Sequence, residues 1–131
     1  MKPIYIKIDE YGSRYYYSDA AMKTLHRTDG PAIERANPED KLWYVNGKIH
    51  RDEGPAFVGA DGTKEWWLNG QRHRTDGPAI EWANRDKLWY LNWKHLSEAE
   101  FLAATATEVV LTLDMIAAKF GVNVKDLKIA K

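Results

Sequence analysis

The chain has no cysteine, so disulfides, thiolate nucleophiles and sulfur ligands are excluded from its chemistry, and a reducing compartment fits. Neither sign of charge prevails: 19 Lys and Arg stand against 19 Asp and Glu. The basic excess that marks nucleic-acid and anionic-membrane binders is missing, and nucleic acid is not an expected partner. Long apolar runs are absent too. No stretch reaches the roughly 18 residues of a membrane span, and "MKPIYIKIDE" alternates where a secretory signal needs an unbroken apolar core. The expectation is a soluble, cytoplasmic protein of one domain, 131 residues long, with a modest core.

What the chain has in excess is large aromatics, six Trp and seven Tyr, and they recur. Trp43, Trp66 and Trp89 are 23 residues apart, as are Asn46, Asn69 and Asn92. "HRTDGPAIE" occurs at His26 to Glu34 and again at His73 to Glu81, with "HRDEGPAFV" between them at His50 to Val58. An internal period of this size is the signature of a repeat architecture. Each unit opens on Gly-Pro-Ala, passes a turn rich in Asn, Asp and Gly, runs through two adjacent aromatics to Asn-Gly, and ends on His-Arg.

Short runs such as "PAIEWA" and "KLWYLN", bounded by turn residues, read as strands. Asn46-Gly47 and Asn69-Gly70 suit the type I′ hairpin, which needs positive φ at both central positions. Alternation along the aromatic strand puts Trp43, Trp66 and Trp89 on a core face and Tyr44, Trp67 and Tyr90 on the other. The expected fold is mainly β: an elongated meander of repeated hairpins, each burying its apolar face on its neighbours. Three segments are expected: N-terminal cap strands over 1–25, hairpin repeats over 26–96, and a helical cap over 97–131. "IYIKI" and "RYYYSD" read as the cap strands, with "SDAAMKTL" replacing the first hairpin tip. Ser97 and Glu100 have the spacing of a capping box that starts a helix. Leu113, Ile116, Ala117 and Phe120 form the apolar stripe of a second helix, ended by Gly121.

The repeat, over about residues 26 to 95, resembles the MORN repeat in period and in its "DG … W … NG … H" order. It departs from that signature in having paired aromatics and a Gly-Pro-Ala turn in place of Tyr-x-Gly-x-Trp and Gly-x-Gly. Nearly the whole chain resembles uncharacterised tailed-bacteriophage proteins that combine a "YYYSD" start, "HRxDGPA" units and a "LTLxxIAxKFGVxVxxLKI" tail. That resemblance implies a viral protein made in the cytoplasm of an infected bacterium. Part of the tail, "IAAKFGVNVKDL", is also similar to helix-turn-helix and LysM phrases.

Candidate site residues fall into two sets. His26, His50 and His73 with Arg27, Arg51 and Arg74 could grip a small anionic ligand such as a nucleotide, since Arg binds carboxylate or phosphate bidentately. The structural reading is that each Arg closes its own turn through Asp29, Glu53 or Asp76 and stacks on the next unit's Trp. Equivalent histidines one repeat apart are too widely separated to converge on one metal ion, so no metal is expected. The second set is aromatic: Tyr44, Trp67 and Tyr90 as a stacking platform, with Trp82 and Trp93, which break the repeat pattern, as candidates for a specific contact. No nucleophile with a paired base and no phosphate-cradling loop appears, so neither an enzyme nor a cofactor is expected. The expected function is binding of a protein partner, of the host or of the phage, through the repeat surface, with countering of host defence as one setting. Sequestering a nucleotide signal, a virion structural role and DNA binding through the C-terminal helices are the alternatives. Exposed sheet edges raise a homo-oligomer.

Overall fold

A computed structural model describes residues 2–106 of the chain. The repeat begins with its turns. Asn46, Asn69 and Asn92 have φ of 50, 48 and 48°, and Gly47 and Gly70 have φ of 79 and 80°. These are the two positive-φ positions of a type I′ turn, which Asn tolerates and Gly adopts freely. Each turn joins a short antiparallel pair: β5 (Tyr44–Val45) with β6 (Lys48–Ile49), β9 (Trp67–Leu68) with β10 (Gln71–Arg72), and, at the end of the array, β12 (Lys87–Leu91) with β13 (Lys94–Leu96).

A continuous sheet runs beside the first two hairpins. Its remaining strands are β1 (Tyr5–Ile8), β2 (Arg14–Tyr17), β3 (Ile33–Glu34), β4 (Lys41–Leu42), β7 (Phe57–Val58), β8 (Lys64–Glu65) and β11 (Ile80–Glu81). The nine strands follow the order β1-β2-β3-β4-β7-β8-β11-β12-β13, each neighbouring pair antiparallel. The fold is therefore mainly β, a meander of hairpins. β1 and β2, the strands of the expected N-terminal segment over 1–25, begin this same sheet, and residues 1–97 form one compact unit. A helix starts after Ser97, where the capping-box spacing places it, and covers 98–106 of the described residues. The second helix expected around Leu113 to Phe120, with its stop at Gly121, lies outside the described residues.

The aromatic strand does not run straight through the first two units. Trp43 donates its N–H to the Ala56 carbonyl in the sheet, and its own carbonyl accepts from His50 N–H in the hairpin; Trp66 does the same with Ala79 and His73. Each Trp is the residue at which the chain leaves the sheet for the hairpin. Trp43 and Trp66, and also Trp89 within the unbroken β12, are half-buried, not core. The residues fully shielded from solvent are small: Ala32, Ala56 and Ala79, each 0% exposed, with Ile33 and Ile80 beside them in sequence. Their N–H groups donate to Leu42, Glu65 and Leu88 across the sheet at 2.7–2.8 Å. A core built on alanine leaves no room for a larger side chain. Replacing Ala56 by Leu should overpack that position and lower stability by about 1–3 kcal/mol in urea unfolding, whereas the same change at exposed Ala60 should cost under about 0.5 kcal/mol.

Candidate functional site

The His-Arg joints come together as a ladder of internal contacts. Arg27, Arg51 and Arg74 lay their guanidinium carbons 4.0, 3.9 and 3.8 Å from the ring centroids of Tyr16, Trp43 and Trp66. The other side of each guanidinium is closed by a glycine: a Cβ added to Gly30, Gly54 or Gly77 would sit 2.9, 3.3 or 2.9 Å from the Cζ of that arginine. The arginine thus lies against an aromatic face and glycine backbone, and a side chain three residues after it would have to displace the guanidinium. The stacking partner is the aromatic that precedes the arginine in its own unit. This corrects the expectation of a Trp from the next unit, and the tyrosine of β2 fills the same role for the first joint.

Hydrogen bonds complete the sandwich. Arg27 donates Nε to Asp29 at 2.8 Å, and Nη1 to the Pro31 carbonyl at 3.1 Å and to Glu34 at 2.8 Å. Arg74 repeats this with Asp76, Pro78 and Glu81 at 2.8, 3.0 and 3.2 Å. The guanidiniums hold Asp29 and Asp76 below the ordinary carboxylate range. Glu34 is lowered first by the Tyr16 hydroxyl, which donates to it at 2.8 Å, and next by Arg27, against the opposing effect of burial. The middle joint is built differently. Val58 occupies the place of Glu34 and Glu81, and Arg51 keeps the Pro55 carbonyl at 3.1 Å.

The three histidines also act alike. Nδ1 of His26, His50 and His73 accepts the backbone N–H of Asn46, Asn69 and Asn92, each at 3.0 Å. A backbone N–H only donates, so Nδ1 must be unprotonated and the proton sits on Nε2. In the middle unit Nε2 lies 2.9 Å from Asp52, to which it donates. Arg27, Arg51 and Arg74 add main-chain bonds from N–H to the carbonyls of Tyr44, Trp67 and Tyr90. Every joint therefore grips the hairpin of the following unit. Among the described residues, no three His, Cys, Asp or Glu side chains group around a possible metal position.

The aromatic candidates separate. Tyr44 pairs with Ile49 in the first hairpin. Trp82 stands in the turn over 82–86 and lines a cleft of about 500 Å³ with Asp61, Thr63, Asn84 and Asp86. Trp67, Tyr90 and Trp93 converge: the Trp67 and Trp93 ring centroids are 5.5 Å apart, Tyr90 is 6.4 Å from Trp93, and His95 is 5.2 Å from Tyr90. Arg72 was not among the sequence candidates, yet it lies 4.8, 5.6 and 5.2 Å over Trp67, Tyr90 and Trp93. Among the described residues its buried Nε finds no hydrogen-bond partner, with the Glu65 carboxylate 3.6 Å away. A signal for Arg72 existed: the positions 23 residues either side of it hold Ile49 and His95, so the repeat does not dictate it.

Trp93 is the departure from the scaffold. It fills the turn position held by Gly47 and Gly70, adopts φ of 72°, and donates its N–H to the Arg72 carbonyl as Gly70 does to Ile49. Its side chain is 51% exposed. A bulky residue in the left-handed region costs about 1–2 kcal/mol, and a ring contact of this kind returns about 0.5–1.5 kcal/mol. Folding gains little from a tryptophan here.

Two measurements test the joints. Gly77→Ala should push Arg74 off Trp66 and lower stability by about 1–3 kcal/mol, while Gly62→Ala, which meets open space at φ of 95°, should cost about 1 kcal/mol from backbone strain alone. Glu34 titrates lower in the folded chain than in the unfolded one. Its contribution is complete above the ordinary value of 4.5 and is lost as pH falls through the folded value. In urea titrations across this acid range, Glu34→Gln should be less stable than the parent at neutral pH and should lose less stability on acidification.

No family model matches the chain, and neither a curated protein nor a solved structure matches it.

Proposed function

We propose that the protein is a non-enzymatic, phage-encoded interaction protein that binds a protein of the host or the phage through the ring cluster of Trp67, Tyr90 and Trp93 with Arg72. Countering host defence is the setting this reading favours. The observation that carries it is Trp93, a half-exposed tryptophan in a turn position where the scaffold uses glycine. Trp, Tyr and Arg are the side chains that dominate binding energy at protein interfaces, and they are gathered here from two successive hairpins. The phage origin rests on the likeness of the repeat units and the tail to phage proteins.

The alternative of a small anionic ligand draws less support. Arg27 and Arg74 already hold two carboxylates each. Arg51 borders clefts of about 500 and 320 Å³, but these are lined by Asp29, Asp52, Glu53 and Asp76, which repel an anion.

Trp93→Gly separates binding from folding. Its stability should stay within about 1 kcal/mol of the parent, because relief of the turn offsets the lost ring contact. Capture of the protein partner from host or infected-cell lysate, quantified against the parent, should fall at least about tenfold, the loss of a single interface hot spot. Undiminished capture by the glycine variant would place the contact surface elsewhere.

A further inference from the structure

The other end of the sheet carries a surface that the joints and the ring cluster do not use. Among the described residues β1 is an edge strand, paired with β2 alone. Asp9 donates its N–H to the Ser13 carbonyl, which extends the register Tyr5↔Tyr17 and Lys7↔Tyr15. Odd residues therefore bond inward to β2, and the N–H and C=O groups of Ile4, Ile6 and Ile8 point outward along the open edge. Their side chains share one face and are 42%, 52% and 61% exposed. Three large aliphatic residues on an unprotected edge are what sheet proteins ordinarily avoid. The opposite edge strand, β13, is lysine- and histidine-bearing in the usual protective manner.

We propose that two copies of the chain pair β1 against β1, antiparallel about a two-fold axis at Ile6. In this register the strand is its own complement. Ile6 faces Ile6, Tyr5 faces Lys7, Ile4 just before the strand comes opposite Ile8, and exposed Lys2 of one copy falls beside the turn that begins at exposed Glu10 of the other. All three isoleucines are covered, and the apolar stripe is bounded by opposite charges. A two-fold at Lys7 would set lysine against lysine and Ile4 against Glu10; one at Tyr5 would set Lys2 against Ile8. A shift by one residue would put the isoleucines opposite side chains of the other face. Pro3 fits the same arrangement, because its missing N–H falls on the inward-bonding side. The pairing would join the nine-stranded sheets of the two copies edge to edge.

Sedimentation of the full chain should show a dimer. Ile6→Pro deletes an outward N–H that the monomer does not use, so it should yield a folded monomer with an unchanged far-ultraviolet spectrum. Lys2→Glu should weaken the dimer several-fold, and adding Glu10→Lys should restore it. Since the chain has no cysteine, register can be read directly. Ile6→Cys should cross-link to itself under mild oxidation, its Cα atoms being about 5.5 Å apart across the axis, whereas Ile4→Cys, roughly 13 Å from its copy, should not. A monomeric parent at high micromolar concentration, a dimer indifferent to Ile6→Pro, or cross-linking at Ile4 in preference to Ile6 would each overturn the proposal. So would a monomer whose Ile4, Ile6 and Ile8 amides resist exchange, since the edge would then be covered from within the chain. None of these variants touches Trp93, so the outcome is independent of partner capture by the ring cluster.

Discussion

A planar cation held between an aromatic ring and a glycine is the contact on which this array depends. Arginine suits the place because its guanidinium is flat, permanently charged and weakly hydrated, so it can be stacked on one face and pressed to backbone on the other while its edge donates hydrogen bonds. The edge of Arg27 and Arg74 reaches two carboxylates and a proline carbonyl. The spacing of His-Arg-x-x-Gly-Pro-Ala follows. Glycine makes room for the guanidinium, proline offers the carbonyl, and alanine enters the sheet at a position fully shielded from solvent.

Unit-to-unit cohesion comes from the residue before that arginine. Each histidine uses Nδ1 to secure the turn of the next hairpin, and each arginine N–H secures the next aromatic carbonyl. These contacts are nearest-neighbour only, which is the energetic form of a repeat protein. The same geometry explains why histidine and arginine, the pair whose chemistry most suggests a reactive site, are consumed by the scaffold. Specific recognition is then left to positions the repeat does not prescribe, and Arg72, Trp93 and His95 all belong to that class.

Much of this was legible in the sequence. The period of 23, the Asn-Gly turns, the tyrosines of β2 standing in for the Trp pair, and the helix start after Ser97 all rest on local chemistry that acts within a few residues. The break of the aromatic strand at Trp43 and Trp66 was not legible. Alternation tells which side chains share a face, but the choice of a hydrogen-bond partner on two different sheets is made by residues 13 and 7 positions ahead. That break also moved the core from tryptophan to alanine. Arg72 escaped notice because its role depends on three rings drawn from two units. In the middle joint Arg51 bonds the Pro55 carbonyl and not the expected Glu53, and the second carboxylate of the outer joints has no counterpart there because "HRDEGPAFV" places Val58 where the other copies place Glu34 and Glu81.

That substitution gives the array an uneven response to its solvent. The outer joints draw part of their strength from ion pairs that are partly open to water, while the middle joint rests on ring stacking, a proline carbonyl and the His50–Asp52 hydrogen bond. Dissolved salt screens the first kind of contact more than the second. Rising ionic strength would therefore loosen the ladder from its two ends toward its centre, leaving Trp43 and the hairpin over Trp67–Arg72, which the middle joint grips, as the last foothold of order.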